Sequence, residues 1–494
     1  MTVRARLAVL LLAASMAPGC TTNLLEAERQ PLSAGAASVI FSDETPNHDF
    51  LQINALVLQA AGPALGVAAV DGIGVGPMLV DAVADKLAAD GSALTREGLL
   101  ISASHSHGGG LCCFQEGLVA ELVLGTYSPE RLDSAAGLIA GALRQAEHRL
   151  ARARFAVGRG DVSEYQENRS IEGGYADPEM RVLYVESLEG VPVAWLINWA
   201  AHPTVLYDAK GELGRGRDFP GGLTGELQRI SGSAVPVLYI NAAAGNVGPV
   251  WPEAETYGEG AMLMGRALAG RAVELVSGTR FQYEAAFGVT LKPSPLPLSL
   301  PGTIVPSGST LTEVRFNDMV WLGVPGETCS QIGRTLTELA YARGAGQVWL
   351  IGYTNDYLGY HPHEEEYFQG TYEAMMCLYG PLMNCWYAKS HFPELVDVPW
   401  SCSPLLTAHR QTYERGLVKG RAEREKIAAR WASHIEGMSD GDILAQQMSA
   451  YLYREQMMQL TDEQRARLIG VAEGAEVAFD IVVLLQYEGA LDVL

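Results

Sequence analysis

The feature that most limits this chain's fold is a series of short apolar runs, each halted by a turn and separated by helix-like stretches. Leu65 to Val70 is one such run and ends in Asp71-Gly72. Leu99 to Ser104, Val193 to Trp199, Val237 to Ile240 and Val348 to Gly352 are others. Runs this short and this apolar suit strands buried on both faces. Residues 77–89 have helical periodicity, and residues 128–153 read as one long amphipathic helix. Alternation of this kind predicts an α/β domain. Residues 284–318 are rich in Pro and β-formers and predict an extended or antiparallel excursion. After about residue 403 the chain becomes charged, Ala-rich and helical in period, and the next strand-like run comes only at Val482. The predicted division is a leader over 1–19, a polar Ala/Ser-rich tether over 20–38, the α/β domain over 39–402 and a helical segment over 403–494.

The N-terminus predicts export. Arg4 and Arg6 precede the apolar run from Leu7 to Ala14, which is too short to span a bilayer and reads as the middle of a signal peptide. Ala17-Pro18-Gly19-Cys20 resembles a bacterial lipoprotein signal, with Cys20 as the anchor to a membrane surface. Ordinary secretion and an uncleaved anchor are the alternatives. The formal net charge of −22 opposes contact with nucleic acid phosphates. There are seven Cys and no CxxC pair, so a thiolate zinc knuckle is not expected. Export permits disulfides, and Cys377, Cys385 and Cys402 are candidates whose pairing is left open.

Four segments carry candidate chemistry. His105 and His107 follow a strand-like run and precede Gly108-Gly109-Gly110. Residues two apart on a strand share a face, so both imidazoles can enter one pocket. His202, in Asn198-Trp199-Ala200-Ala201-His202-Pro203, also ends an apolar run. Taken alone, it suits a hydrogen-bonded core histidine better than a ligand. Glu327 follows Val324-Pro325-Gly326, where a carboxylate is usually exposed. Asn355-Asp356-Tyr357-Leu358-Gly359-Tyr360 leads into Glu365-Glu366-Tyr367 and Tyr372-Glu373.

In this order the four segments resemble the neutral/alkaline ceramidases, over roughly residues 40–400. That family has a strand-end His-x-His, an Asn-Trp shortly before a His, then Pro-Gly-Glu, and last Asn-x-Tyr-x-x-Tyr followed by Glu-Glu-Tyr and Tyr-Glu. The resemblance implies a mixed-sheet α/β catalytic domain and a Zn²⁺ site held by His105, His202, Glu327 and Tyr360. Imidazole nitrogen and carboxylate oxygen suit zinc, and a neighbouring Zn²⁺ favours the phenolate form of a tyrosine. The resemblance also implies that His107 works as a general acid/base. Arg169 and Tyr372 are implied as groups facing developing negative charge. The implied reaction is hydrolysis of the amide of ceramide or another N-acyl lipid by zinc-activated water.

The chain departs from the family in several places, among them a gap from Trp199 to His202 one residue shorter than usual. Gly108 stands where a Ser usually follows His-x-His. Ala244-Gly245-Asn246-Val247-Gly248-Pro249 stands where the family has Gly-Asp-x-Ser-Pro, so Gly248 supplies no hydroxyl nucleophile. His361 and His363 replace a Thr-rich stretch and read as rim residues. The helical C-terminus differs from the family's β-sandwich. Tyr413-Glu414-Arg415-Gly416, Gly420 and the stretch Leu468 to Val477 resemble the pro-segment of penicillin-type acyl-coenzyme A acyltransferases. Such a segment is expected to hydrolyse nothing by itself, and its partner is unknown. Two further readings stay open at this point: a zinc hydrolase for another amide or ester, and a lapsed enzyme that binds lipid or a partner.

Overall fold

The computed structural model describes residues 28–41, 50–109, 127–206, 215–297, 305–396, 398–439, 442–443 and 454–494. The expected leader, Cys20, Cys112 and Cys113 lie outside the described residues. Among those described, no helix is long and apolar enough to cross a membrane.

The apolar runs become strands. The larger sheet contains β1 (Ser33–Ile40), β2 (Gln52–Gln59), β3 (Leu65–Val70), β4 (Leu99–Ala103), β5 (Ala151–Asp161), β6 (Glu179–Ser187), β7 (Pro192–Trp199) and β8 (Val237–Asn241). Its order is β8-β7-β6-β5-β1-β2-β3-β4. The pairs β3/β4 and β7/β8 are parallel and the others antiparallel, so the sheet is mixed. A second sheet joins β9 (Phe287–Pro295), β10 (Gly308–Phe316), β11 (Met319–Val324) and β12 (Gln347–Gly352), with β11 and β12 parallel. The β9/β10 pair is the antiparallel excursion expected over 284–318.

Side-chain alternation stacks these sheets into layers. Leu56 and Leu58 of β2 meet Trp321 and Trp349 of the second sheet, whereas Ala55 and Val57 face α1 (Pro77–Ala89) and α2 (Pro129–His148). At the other end of the larger sheet, Ile197 and Val237 pack on α3 (Phe219–Ser231) and α4 (Tyr257–Val276). The outer face of the second sheet is covered by α5 (Ser330–Ala342) and the C-terminal helices. Period-two alternation thus feeds a core on each side of both sheets.

Three expectations need correction. Most of the described part of the expected tether is strand: Gln30–Pro31 pairs with Glu284–Ala285, and β1 lies between β5 and β2. Its small residues serve close packing, since a Cβ on Gly35 would lie 2.2 Å from the Ala146 carbonyl oxygen of α2. The helix expected over 128–153 ends at His148, and β5 starts at Ala151. Pairing with β1 overrides helical propensity there. The strand-like run around Val482 is helical, over Phe479–Tyr487, because an apolar run buried on every side suits either element.

In the C-terminal segment, α6 (Arg410–His434) and α7 (Asp462–Ala475) cross through Gly416, Gly420, Gly470 and Gly474. A Cβ on Gly420 would lie 2.2 Å from the Val471 carbonyl oxygen. Gly420→Ala is therefore expected to destabilise by about 1–3 kcal/mol through overpacking. Helix propensity alone gives the opposite sign, a gain of up to ~1 kcal/mol. A raised denaturant midpoint would contradict the close crossing. The segment also touches the rest of the chain: Tyr367 Oη donates to Asp480 at 3.0 Å, and Phe368 packs edge-on to Phe479. Cys385 and Cys402 form a disulfide, while Cys377 and Cys329 are free and buried.

Candidate metal centre

Each expected ligand follows a strand, and all four strands belong to parallel pairs. His105 follows β4, His202 follows β7, Glu327 follows β11, and Tyr360 lies eight residues beyond β12 (Gln347–Gly352). Placement beyond the carboxyl ends of parallel strands is the usual location of a ligand site in such folds. Strand alternation does not orient the His-x-His pair, however. Strand β4 stops at Ala103, and His105 adopts a left-handed φ of 65°. A non-glycine residue held there is a strained position of the kind found at functional sites. Two residues beyond β11, Gly326 has φ 105°, and a Cβ on it would lie 2.6 Å from the Gly359 carbonyl oxygen. This close approach lets Glu327 pair directly with Tyr360 in a short parallel bridge.

The donor atoms converge. Glu327 Oε2 lies 3.2 Å from His105 Nε2 and 3.0 Å from His202 Nε2. Tyr360 Oη lies 3.4 Å from His202 Nε2. His107 is part of the same cluster, with its ring centroid 4.9 Å from that of His105 and 5.9 Å from that of His202. His105, His107 and His202 each offer a nitrogen, all within 4.8 Å of one another, as a metal-binding group would. Glu327 is only 4% exposed, contrary to the usual state of a carboxylate after Pro-Gly.

Proton positions test whether these residues fit a cation. His105 Nδ1 lies 2.7 Å from the Ile73 carbonyl oxygen, and His202 Nδ1 lies 2.8 Å from that of Ala244. A carbonyl only accepts, so each Nδ1 carries the proton. Burial pushes the His202 pKa down to about 3 and that of His107 down to about 2, which keeps both imidazoles neutral. Burial alone would raise the Glu327 carboxyl, but its neighbours His105 and His202 outweigh burial and hold it well below the usual carboxylate range. The unprotonated Nε2 of neutral His202 therefore faces an ionised carboxylate oxygen, lone pair toward lone pair. A cation between them resolves that conflict. The spacings also fit: Zn bonds of ~2.0–2.1 Å at tetrahedral angles separate ligand atoms by ~3.3 Å.

Arg169 follows the short strand Gln166–Asn168, which pairs with Val247–Pro249. Its Nε donates to Glu373 Oε1 at 3.0 Å, and its Nη2 donates to the Gly245 carbonyl oxygen at 2.8 Å and to Tyr360 Oη at 3.1 Å. Tyr372 is half exposed, with its ring 5.4 Å from that of Tyr360 and 6.0 Å from the Arg169 guanidinium carbon. All seven expected residues are thus in one neighbourhood, with Arg169 and Tyr372 on its open side. A Cβ on Gly248 would meet only Arg169 side-chain carbons, at 3.6 and 3.9 Å. The rim placement of His361 is corrected, because this side chain is fully buried with Nδ1 2.8 Å from Tyr387 Oη. Tyr387 Oη also lies 3.0 Å from Oγ1 of Thr328 in the bridge and donates to the Pro325 carbonyl at 3.2 Å. His363 caps the helix Glu364–Gln369 and is partly exposed.

Some contributors escaped the sequence reading. The carbonyls of Ile73 and Ala244 set the histidine tautomers, and a carbonyl has no residue-type signature. Glu373 and Tyr357 stood inside the quoted motifs but were given no role. Tyr357 Oη donates to Glu327 Oε1 at 2.5 Å.

Fold and cluster together define a layered α/β protein with a cluster of three histidines able to hold a metal ion. No protein-family model matches the chain, and no curated protein matches it. Among solved structures, its fold is similar to that of the neutral ceramidase from Pseudomonas aeruginosa, with a TM-score of 0.64 and 18% identity over 75% of this chain and 74% of that one. It is equally similar to a ceramidase complexed with C2, with a TM-score of 0.64 and 17% identity over 75% of each chain.

Proposed function

We propose that this chain is an exported zinc-dependent amidohydrolase that cleaves the amide of ceramide or a related N-acyl lipid. The observation that carries the metal is the convergence of His202 Nε2 and His105 Nε2 on Glu327 Oε2, at 3.0 and 3.2 Å, with both Nδ1 atoms facing backbone carbonyls. The substrate class rests on the fold shared with two ceramidases, together with the motif order of the sequence. Export, with Cys20 as a lipid anchor, rests on the N-terminal sequence.

His105, His202, Glu327 and Tyr360 would hold the ion. Bound zinc would supply Lewis-acid polarisation of an amide carbonyl and would acidify a water to near-neutral pKa. His107, neutral and beside the cluster, would hydrogen-bond the attacking water and guide its proton to the leaving nitrogen. The water oxygen bonds to the carbonyl carbon, the C–N bond breaks, and fatty acid and amine leave. Arg169 and Tyr372 donate to the carbonyl oxygen as it gains negative charge. Gly248 offers no hydroxyl, so this reading contains no acyl-serine step at that position. The helices after residue 403 are assigned no chemistry.

The test is metal analysis of the purified full chain, joined to fatty acid release from a short-chain ceramide. Near-stoichiometric zinc is expected, with release abolished by chelation and restored by zinc. Zinc without release from ceramide, but with release from another N-acyl amide, would move the substrate within the class. A chain that holds no zinc and releases nothing would return the protein to the lipid- or partner-binding reading.

A further inference from the structure

One segment, Tyr353 to Tyr360, touches three of the four proposed ligands with three different tyrosines. The Tyr353 ring stacks on His105 with centroids 4.2 Å apart, Tyr357 Oη donates to Glu327 Oε1 at 2.5 Å, and Tyr360 Oη lies 3.4 Å from His202 Nε2. The segment is far from a regular element. Tyr353, Asn355 and Gly359 have φ of 53°, 60° and 75°. It holds this path because it is stitched to β4, the strand that carries His105. Ala103 N donates to the Tyr353 carbonyl at 3.2 Å, and Asn355 N donates to the Ile101 carbonyl at 3.0 Å. The Asn355 side chain accepts from Ile101 N at 3.0 Å and donates to the Leu99 carbonyl at 2.8 Å. Asn355 thereby replaces a missing neighbour strand and fixes the starting point from which Tyr357 reaches Glu327.

We infer that Tyr357 is a positioning residue that fixes which oxygen of Glu327 faces the metal. This inference rests on the zinc reading above. A carboxylate offers two equivalent oxygens and can present one or both to a metal. Here Oε1 is occupied by the phenol proton, and only Oε2 points at His105 and His202. Glu327 and Tyr357 are both buried, so water does not replace that donor easily. A hydrogen bond to an ionised acceptor is also shorter and stronger than a neutral one. Partners of this kind orient metal ligands, and their loss typically weakens metal affinity by about 10–100-fold. Removing the hydroxyl frees Glu327 to turn about its terminal bond and present both oxygens.

The experiment measures zinc affinity of the full chain by chelator competition, and the visible spectrum of the cobalt(II)-substituted protein, for wild type, Y357F, E327Q and the double variant. Y357F keeps the ring and its packing. It is expected to fold, to bind zinc about 10–100-fold more weakly and to change the cobalt spectrum as the coordination number rises. In the E327Q background the same change is expected to have little further effect, because contacting residues that act as a unit are non-additive. Wild-type affinity and an unchanged cobalt spectrum in Y357F would overturn the assignment. So would an equal loss in both backgrounds, or a Y357F chain that no longer folds, since each marks the hydroxyl as acting independently of Glu327. Wild-type protein that binds no zinc at all would instead sink the metal reading, and the inference with it.

Discussion

His105→Ala is expected to leave a folded chain that no longer retains zinc and that hydrolyses amides at least about 10³-fold less efficiently. The estimate assumes that the metal supplies several kcal/mol of transition-state stabilisation, at 1.36 kcal/mol for each factor of ten. The change deletes one of the two imidazoles whose Nε2 faces Glu327 Oε2. It also deletes the acceptor-fixed tautomer set by the Ile73 carbonyl. Two donors and a phenol are then a poor match for a zinc site. The neighbouring His107→Ala variant makes the comparison decisive, because His107 belongs to the same three-imidazole cluster. If His105, His202, Glu327 and Tyr360 hold the ion, His107→Ala keeps near-stoichiometric zinc and loses turnover. Equal zinc loss in both variants would replace Glu327 or Tyr360 by His107 in the ligand set. Metal content measured beside kcat/KM separates the outcomes.

The second large effect is on stability and lies outside the site. Glu313 of β10 is 1% exposed and is surrounded by cations. Its carboxylate lies 2.7 Å from Lys292 Nζ, 2.9 Å from Arg343 Nη2 and 3.2 Å from Arg315 Nε. The network ties the second sheet to α5, whose C-cap is Arg343, and to the helix Met383–His391, whose His391 carbonyl accepts from Lys292 at 2.6 Å. Glu313→Ala leaves three partly buried positive charges close together without their counter-charge, which is expected to cost up to about 3–5 kcal/mol. The check is the denaturant midpoint. A change under about 1 kcal/mol would mean that the pairs behave as exposed ones do.

The same network gives a pH dependence with a definite sign. Burial pushes the Glu313 carboxyl up, but Lys292 and Arg343 outweigh it and bring the pKa down to about 2. A pKa depressed on folding stabilises above the unfolded value, about 4.3 for Glu. That stability is lost as pH falls from there through about 2. Wild type is therefore expected to lose more stability between pH 4.5 and 2 than Glu313→Gln does.

Much of this fold was legible because the code for it is local. The run Leu65–Val70 is apolar at every position and became a strand buried at every position. The periodic stretch over 77–89 became a helix with those bounds. What failed was decided by distant partners. The Ala- and Ser-rich stretch from Ser33 looks like a tether until a helix 110 residues away needs small neighbours. Residues 151–153 suit a helix until β1 offers a sheet edge. The site divides in the same manner. His105, His202, Glu327 and Tyr360 could be nominated from motif order, since each motif is a few consecutive residues.

By itself, the sequence determined the strand-and-helix alternation and the helical C-terminus, because periodicity and turn chemistry act over a few positions; it nominated the donor residues only through the resemblance in motif order. Only the tertiary structure decided that the donors meet, that the His105 and His202 tautomers are set by the Ile73 and Ala244 carbonyls, and that Tyr357 occupies one oxygen of Glu327. Those facts depend on atoms far apart in sequence, two of them on main-chain carbonyls that every residue carries. No pattern of residue types can encode where such a carbonyl will point.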